Sequence, residues 1–111
     1  MIDEHAAKLL AVDRRRIEKE IASLDIGSGD ELSNTDIADT ASDVYQEEVD
    51  VGRLDELREE LAAVERAEQR LREGQFGLSI ESGARIPDER LEAFPTAERT
   101  IAEEQRFEHR R

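Results

Sequence analysis

Asp36 and Asp39 stand three residues apart, a spacing that places both carboxylates on one face of a helical turn. Two such groups can in principle hold Mg²⁺, but an exposed pair at a helix start is weak support for a metal site. Nothing else in the sequence reads as a reactive centre. It has no nucleophile beside a base, no phosphate-binding glycine loop and no carboxylate–histidine cluster, so an enzyme is not expected. With no cysteine, disulfides, thiol catalysis and thiolate metal sites are excluded. His5 and His109 lie at opposite ends of the sequence and read as lone surface histidines. Neither a metal nor another cofactor is expected. Arg85, Arg90 and Arg99 could meet an acidic partner surface, although solvated side chains are the plainer reading.

Composition narrows the class further. Of 111 residues, 37% are apolar, 41% charged and 4% aromatic, which disfavours a thick core and favours long solvated helices. The net charge of −13 would repel a phosphate backbone or an anionic leaflet, so direct DNA, RNA or membrane binding is not expected. No apolar run approaches the ~20 residues that span a bilayer. Met1-Ile2-Asp3-Glu4 has neither the basic nor the apolar character of a signal peptide, and a cytoplasmic location is expected. The acid is concentrated: Asp30, Glu31, Asp36, Asp39, Asp43, Glu47, Glu48 and Asp50 occur in residues 30–50 without one base.

The elements that must position these residues are mainly helical. Leu10, Ile17, Ile21 and Leu24 recur at helical spacing and predict a helix over 4–24, ending at the two glycines of Ile26-Gly27-Ser28-Gly29-Asp30. Ser33, Asn34 and Thr35 are N-cap candidates for a second helix. Val51, Leu54, Leu57, Leu61, Val64, Ala67 and Leu71 give it a coiled-coil seam, which Val44 continues backwards, with Gly74 as the terminal residue. Such a helix is about 55 Å long. Gly52 marks a place where it bends or frays. One helix cannot bury its own seam. The short connection predicts an antiparallel hairpin over 1–74 with its tip at about 27–41, the alternative being a coiled coil between two copies.

Residues 75–111 have a different texture. Phe76, Leu78 and Ile80 lead into a turn at Glu81-Ser82-Gly83 and predict a small β-hairpin. Short helices are expected after Pro87 and after Pro95-Thr96, with Ile101 and Phe107 facing inward. The core would be Phe76, Leu78, Ile80, Ile86, Leu91, Phe94, Ile101 and Phe107, thin enough that the unit must lean on the helical base.

Two segments resemble a known family. Arg72-Glu73-Gly74-Gln75-Phe76-Gly77 followed by Ile86-Pro87-Asp88-Glu89-Arg90-Leu91-Glu92-Ala93-Phe94-Pro95-Thr96-Ala97 is similar to the C-terminal domain of the DksA/TraR family. Asp36-Ile37-Ala38-Asp39-Thr40-Ala41 fits that family's D-x-x-D-x-A signature at the coiled-coil tip. The resemblance implies a bacterial regulator that binds RNA polymerase directly and not promoter DNA. Its coiled coil would enter the secondary channel, bringing Asp36, Asp39 and Ala41 toward the catalytic centre, while the small domain meets the outer rim. The implied fold is mainly α: an antiparallel helical hairpin with a small α+β zinc-finger-like domain. Typical members hold zinc through two C-x-x-C pairs, and the matching positions here are Ser79, Ser82, Thr100 and Glu103. Hydroxyls are poor zinc ligands, so the domain is expected to lack zinc and to be held by apolar contacts and hydrogen bonds. A response to guanosine tetraphosphate is left open.

An initiation regulator acting as a monomer is therefore the leading expectation. A coiled-coil adaptor of the same fold that no longer binds polymerase is the alternative, and an acidic nucleic-acid mimic or antitoxin-like partner is a third.

Overall fold

A computed structural model describes residues 1–29 and 40–110, with side chains described for 1–24 and 50–110. Four helices carry it: α1 (Asp3–Gly29), α2 (Thr40–Arg72), α3 (Asp88–Ala93) and α4 (Ile101–Arg110). The chain divides into two compact units, one of Met1–Asp13 with Ala63–Arg111 and one of Arg14–Ala62.

Within the second unit, α1 and α2 pair antiparallel. The later Glu20 of α1 meets the earlier Arg53 of α2, and the earlier Arg16 meets the later Glu60. Ile17 and Leu57 are buried where the apolar stripes meet. The stripe is narrow: Val51 is 58% exposed, and Leu54 only half-buried. Charges flank it in one network. Arg53 donates to Glu20 at 3.0 Å and to Glu56 at 3.1 Å, while Arg16 reaches Glu20 at 3.4 Å and Glu60 at 3.3 Å. The hydrogen bond to Glu20, then that to Glu56, raises the Arg53 pKa above its ordinary value.

Two sequence expectations about these helices are corrected. The glycines at 27 and 29 do not end α1, which runs through Gly29. Each glycine weakens a helix by roughly 1 kcal/mol against alanine but does not forbid it. Nor does Gly52 interrupt α2, which is continuous past it. The N-cap candidates Ser33, Asn34 and Thr35 lie outside the described residues.

In the first unit, Ala6 and Leu10 of α1, Val64 and Ala67 of α2, Ile86 and Leu91 are buried together with Ser79 and Glu103. The expected hairpin is reduced to one isolated antiparallel bridge between Leu78 and Arg85, and no strand occurs among the described residues. The α+β character expected of this unit is therefore not seen; it is helices joined by turns. Gly74, Gly77 and Gly83 take positive φ at those turns. At Gly77 (φ 85°) a Cβ would also stand 3.5 Å from the Leu91 side chain.

Three members of the expected core face solvent instead: Ile80 (51% exposed), Phe94 (60%) and Ile101 (56%). Ser79 is buried, whereas Ile80 sits on the turn that Gly83 N–H closes back onto the Ser79 carbonyl. Phe94 is the C-cap of α3 with φ −136°, so it leaves the face on which Leu91 is buried. Glu103 turns inward on α4, which places Ile101, two residues earlier, on the opposite side. The last helix begins at Ile101 and not after Pro95; Thr100-Ile101-Ala102-Glu103 is a capping-box sequence that sets this boundary.

Candidate functional site

Asp36 and Asp39 lie outside the described residues, as does the side chain of Ala41, whose backbone belongs to α2. The remaining candidates all fall in the first unit. The structure brings four of them together; of the other three, Arg90 reaches the backbone of Arg99.

Ser79, Ser82, Thr100 and Glu103 converge, although the first pair sits on a turn and the second pair at the start of α4. Thr100 caps the helix: its backbone N–H donates to Glu103 Oε1 at 3.0 Å, and its Oγ1 accepts the Glu103 N–H at 3.2 Å. This reciprocal pair satisfies two helix-start donors. The other carboxylate oxygen, Oε2, accepts the Ser82 hydroxyl at 2.5 Å. Ser79 is buried beside it, its Oγ accepting the backbone N–H groups of Glu81 and Ser82 at 3.0 and 3.2 Å. Ser82 Oγ in turn accepts the Ala84 N–H at 3.1 Å. Glu103 is only 6% exposed. The hydroxyls of Ser79 and Ser82 and the amide of Thr100 outweigh the effect of burial and lower its carboxyl pKa to about 2.

The three arginines differ in exposure and in their partners. Arg85 is exposed. Arg90 donates from Nε to the Arg99 carbonyl at 2.9 Å, and its guanidinium carbon lies 6.0 Å from the Phe94 ring centroid. Arg99 is deeply engaged: Nε donates to Glu81 at 2.8 Å, another nitrogen lies 3.6 Å from Glu104, and the guanidinium carbon stands 3.7 Å from the Phe107 ring centroid. The hydrogen bond to Glu81 raises the Arg99 pKa further.

Further side-chain links were not anticipated from sequence. Glu98 Oε2 accepts from Arg66 Nε at 2.9 Å and from Arg70 at 3.1 Å, tying α2 to the segment before α4. Burial pushes the Glu98 carboxyl up, but the hydrogen bonds and charges of Arg66 and Arg70 prevail and hold it below its ordinary value. His5 of α1 pairs with Glu92 of α3, so it is not a lone surface histidine. Arg110 adds a 3.5 Å contact to Glu81. The one available hint was charge alternation along α2, which does not name partners distant in sequence. A cavity of about 80 Å³ lined by Phe76, Leu78, Ile86 and Leu91 also lies in this unit. It is small beside the roughly 300–1,000 Å³ of ordinary ligand pockets.

No protein-family model matches the chain. Among solved structures, that of transcription factor DksA2 from Pseudomonas aeruginosa aligns with 97% of this chain and 84% of its own, with a TM-score of 0.80 and 26% identity. The RNA polymerase-binding transcription factor DksA of Caulobacter vibrioides is 31% identical over 78 residues, 70% of this chain and 55% of the relative. The chain is DksA/TraR-like. Its similarity to the uncharacterized protein YteA of Bacillus subtilis is 40% over 65 residues, 59% of this chain and 27% of that protein. The chain thus spans about half the length of DksA and about a quarter of YteA. The DksA/TraR-like reading of GQFG…IPDERLEAFPTA agrees with both sequence and structure.

Proposed function

We propose that this DksA/TraR-like chain is a transcription regulator that binds bacterial RNA polymerase directly, without binding DNA, and modulates initiation. The observation that carries the reading is the structural likeness to DksA2 over 97% of the chain, joined to sequence similarity with a DksA named for binding RNA polymerase. Charge supports it: the eight acids of residues 30–50 suit approach to a basic channel and oppose contact with DNA. On this reading the helical pair enters the secondary channel, and Asp36, Asp39 and Ala41 approach the catalytic centre. Of the three arginines, Arg85 is the exposed one and is the best placed for the polymerase rim. The protein acts as a cytoplasmic monomer and is not an enzyme. Among the described residues, no helix is long and apolar enough to cross a membrane.

In-vitro transcription from a regulated promoter tests the role of the tip. The double variant Asp36→Asn, Asp39→Asn is expected to lose regulation while its affinity for polymerase changes less than about tenfold. Full regulatory activity in that variant would contradict the assignment.

A further inference from the structure

Zinc is the ion implied by the family resemblance at Ser79, Ser82, Thr100 and Glu103, and the side chains present do not fit it. A structural zinc site takes four thiolate or imidazole donors, whereas these positions offer three hydroxyls and one carboxylate. Their oxygens are also committed to one another and to the backbone. Ser79 Oγ accepts two backbone N–H groups, Ser82 Oγ accepts a third, and the Glu103 oxygens accept from Thr100 N–H and the Ser82 hydroxyl. A cation coordinated here would have to break bonds on both sides of the cluster.

We propose that Glu103 takes over the fastening role, its carboxylate serving as the hub of a metal-free clasp that locks the start of α4 to the 79–84 turn. Ser82 of the turn donates its hydroxyl to it, Thr100 donates its backbone N–H, and Glu103 itself is buried beside the buried Ser79. One anion therefore joins two segments that are otherwise linked by the hydrogen bond from the Ile80 N–H to the Glu98 carbonyl at 2.9 Å and by the exposed Arg99–Glu81 and Arg110–Glu81 pairs.

The clasp depends on charge. Facing groups are the hydroxyls of Ser79, Ser82 and Thr100. The charged groups nearest in sequence are Glu81 on the turn, and Glu98, Arg99, Glu104 and Arg106 on the other segment. Arg99 pairs with Glu81 and Glu104, and Glu98 is held by Arg66 and Arg70. The Glu103 charge is consequently stabilised by hydrogen bonds and not by a counter-ion. Its pKa is lower in the folded state, so the stabilisation is complete above the ordinary value of 4.5 and disappears as pH falls toward about 2.

The test uses the intact chain and three readouts. Carbon NMR should follow the Glu103 side-chain carboxyl titrating near pH 2 in the wild type. Thermal unfolding at pH 7 should be unchanged by a chelator or by added zinc, and a cobalt(II) titration should give no tetrahedral absorption band. Glu103→Gln, which keeps the shape and removes the charge, should lower the melting temperature by several degrees at pH 7 and flatten the acid limb between pH 4.5 and 2. If that variant does not fold, Ser82→Ala decides: losing one donor should move the Glu103 midpoint upward. A midpoint near 4.5 in the wild type, a stoichiometric cobalt band, a Glu103→Gln protein melting like the wild type, or an unmoved midpoint in Ser82→Ala would each overturn the proposal.

Discussion

Glu98 shows how much a single carboxylate can organise. It receives two guanidinium groups from adjacent turns of α2, and Arg70 is itself mostly buried, with its Nε lacking a hydrogen-bond partner. Removing the negative charge would leave Arg70 with no anion to compensate its desolvation. Glu98→Gln is therefore expected to destabilise the first unit by about 1–3 kcal/mol, measured by urea unfolding at pH 7. Because the Glu98 carboxyl is held below its ordinary value, the difference between variant and wild type should shrink as the solution is acidified. A difference that stayed constant with pH would assign the loss to packing. Together, Glu98 and Glu103 make a unit with a thin apolar core rely on ionised carboxylates whose partners lie on other elements.

At the scale of elements, the helices were legible because their information is local and periodic. Leu10, Ile17, Leu57, Val64 and Ala67 are buried as their spacing implies, and the antiparallel pairing follows from the short connection between α1 and α2. The small unit was legible mainly as a resemblance. Its motif located the four polar positions, but apolar counting misplaced Ile80, Phe94 and Ile101 because inward slots are occupied by Ser79 and Glu103. A buried serine or glutamate does not announce itself in a hydrophobicity pattern. Only the Thr100-x-x-Glu103 capping signature carried that information, and it competes with the Pro95-Thr96 start signal. Two substitutions separate the units experimentally. Leu57→Ala removes a fully buried side chain from the helical pair and should cost about 2–5 kcal/mol in denaturant unfolding. Gly77→Ala forces a side chain into positive φ close to Leu91 and should cost about 1–2 kcal/mol. Amide exchange should place the first loss near α1 and α2 and the second in residues 76–91; the reverse pattern would contradict this division.

For the whole molecule, 29 acidic residues against 16 Lys and Arg mean that any partner surface must supply positive charge or tolerate repulsion. Association governed by that charge should weaken as salt rises, since screening acts within about 10 Å at 0.1 M. The chain covers 55% of the C. vibrioides DksA. The decisive measurement is binding of the purified protein to core RNA polymerase at near-physiological salt, with a label on the first unit and a known secondary-channel factor as competitor. Saturable binding in the micromolar range or tighter, displaced by that competitor, is the result expected of a secondary-channel regulator. A folded, helical protein that shows no binding, or binding that the competitor does not displace, would contradict the account.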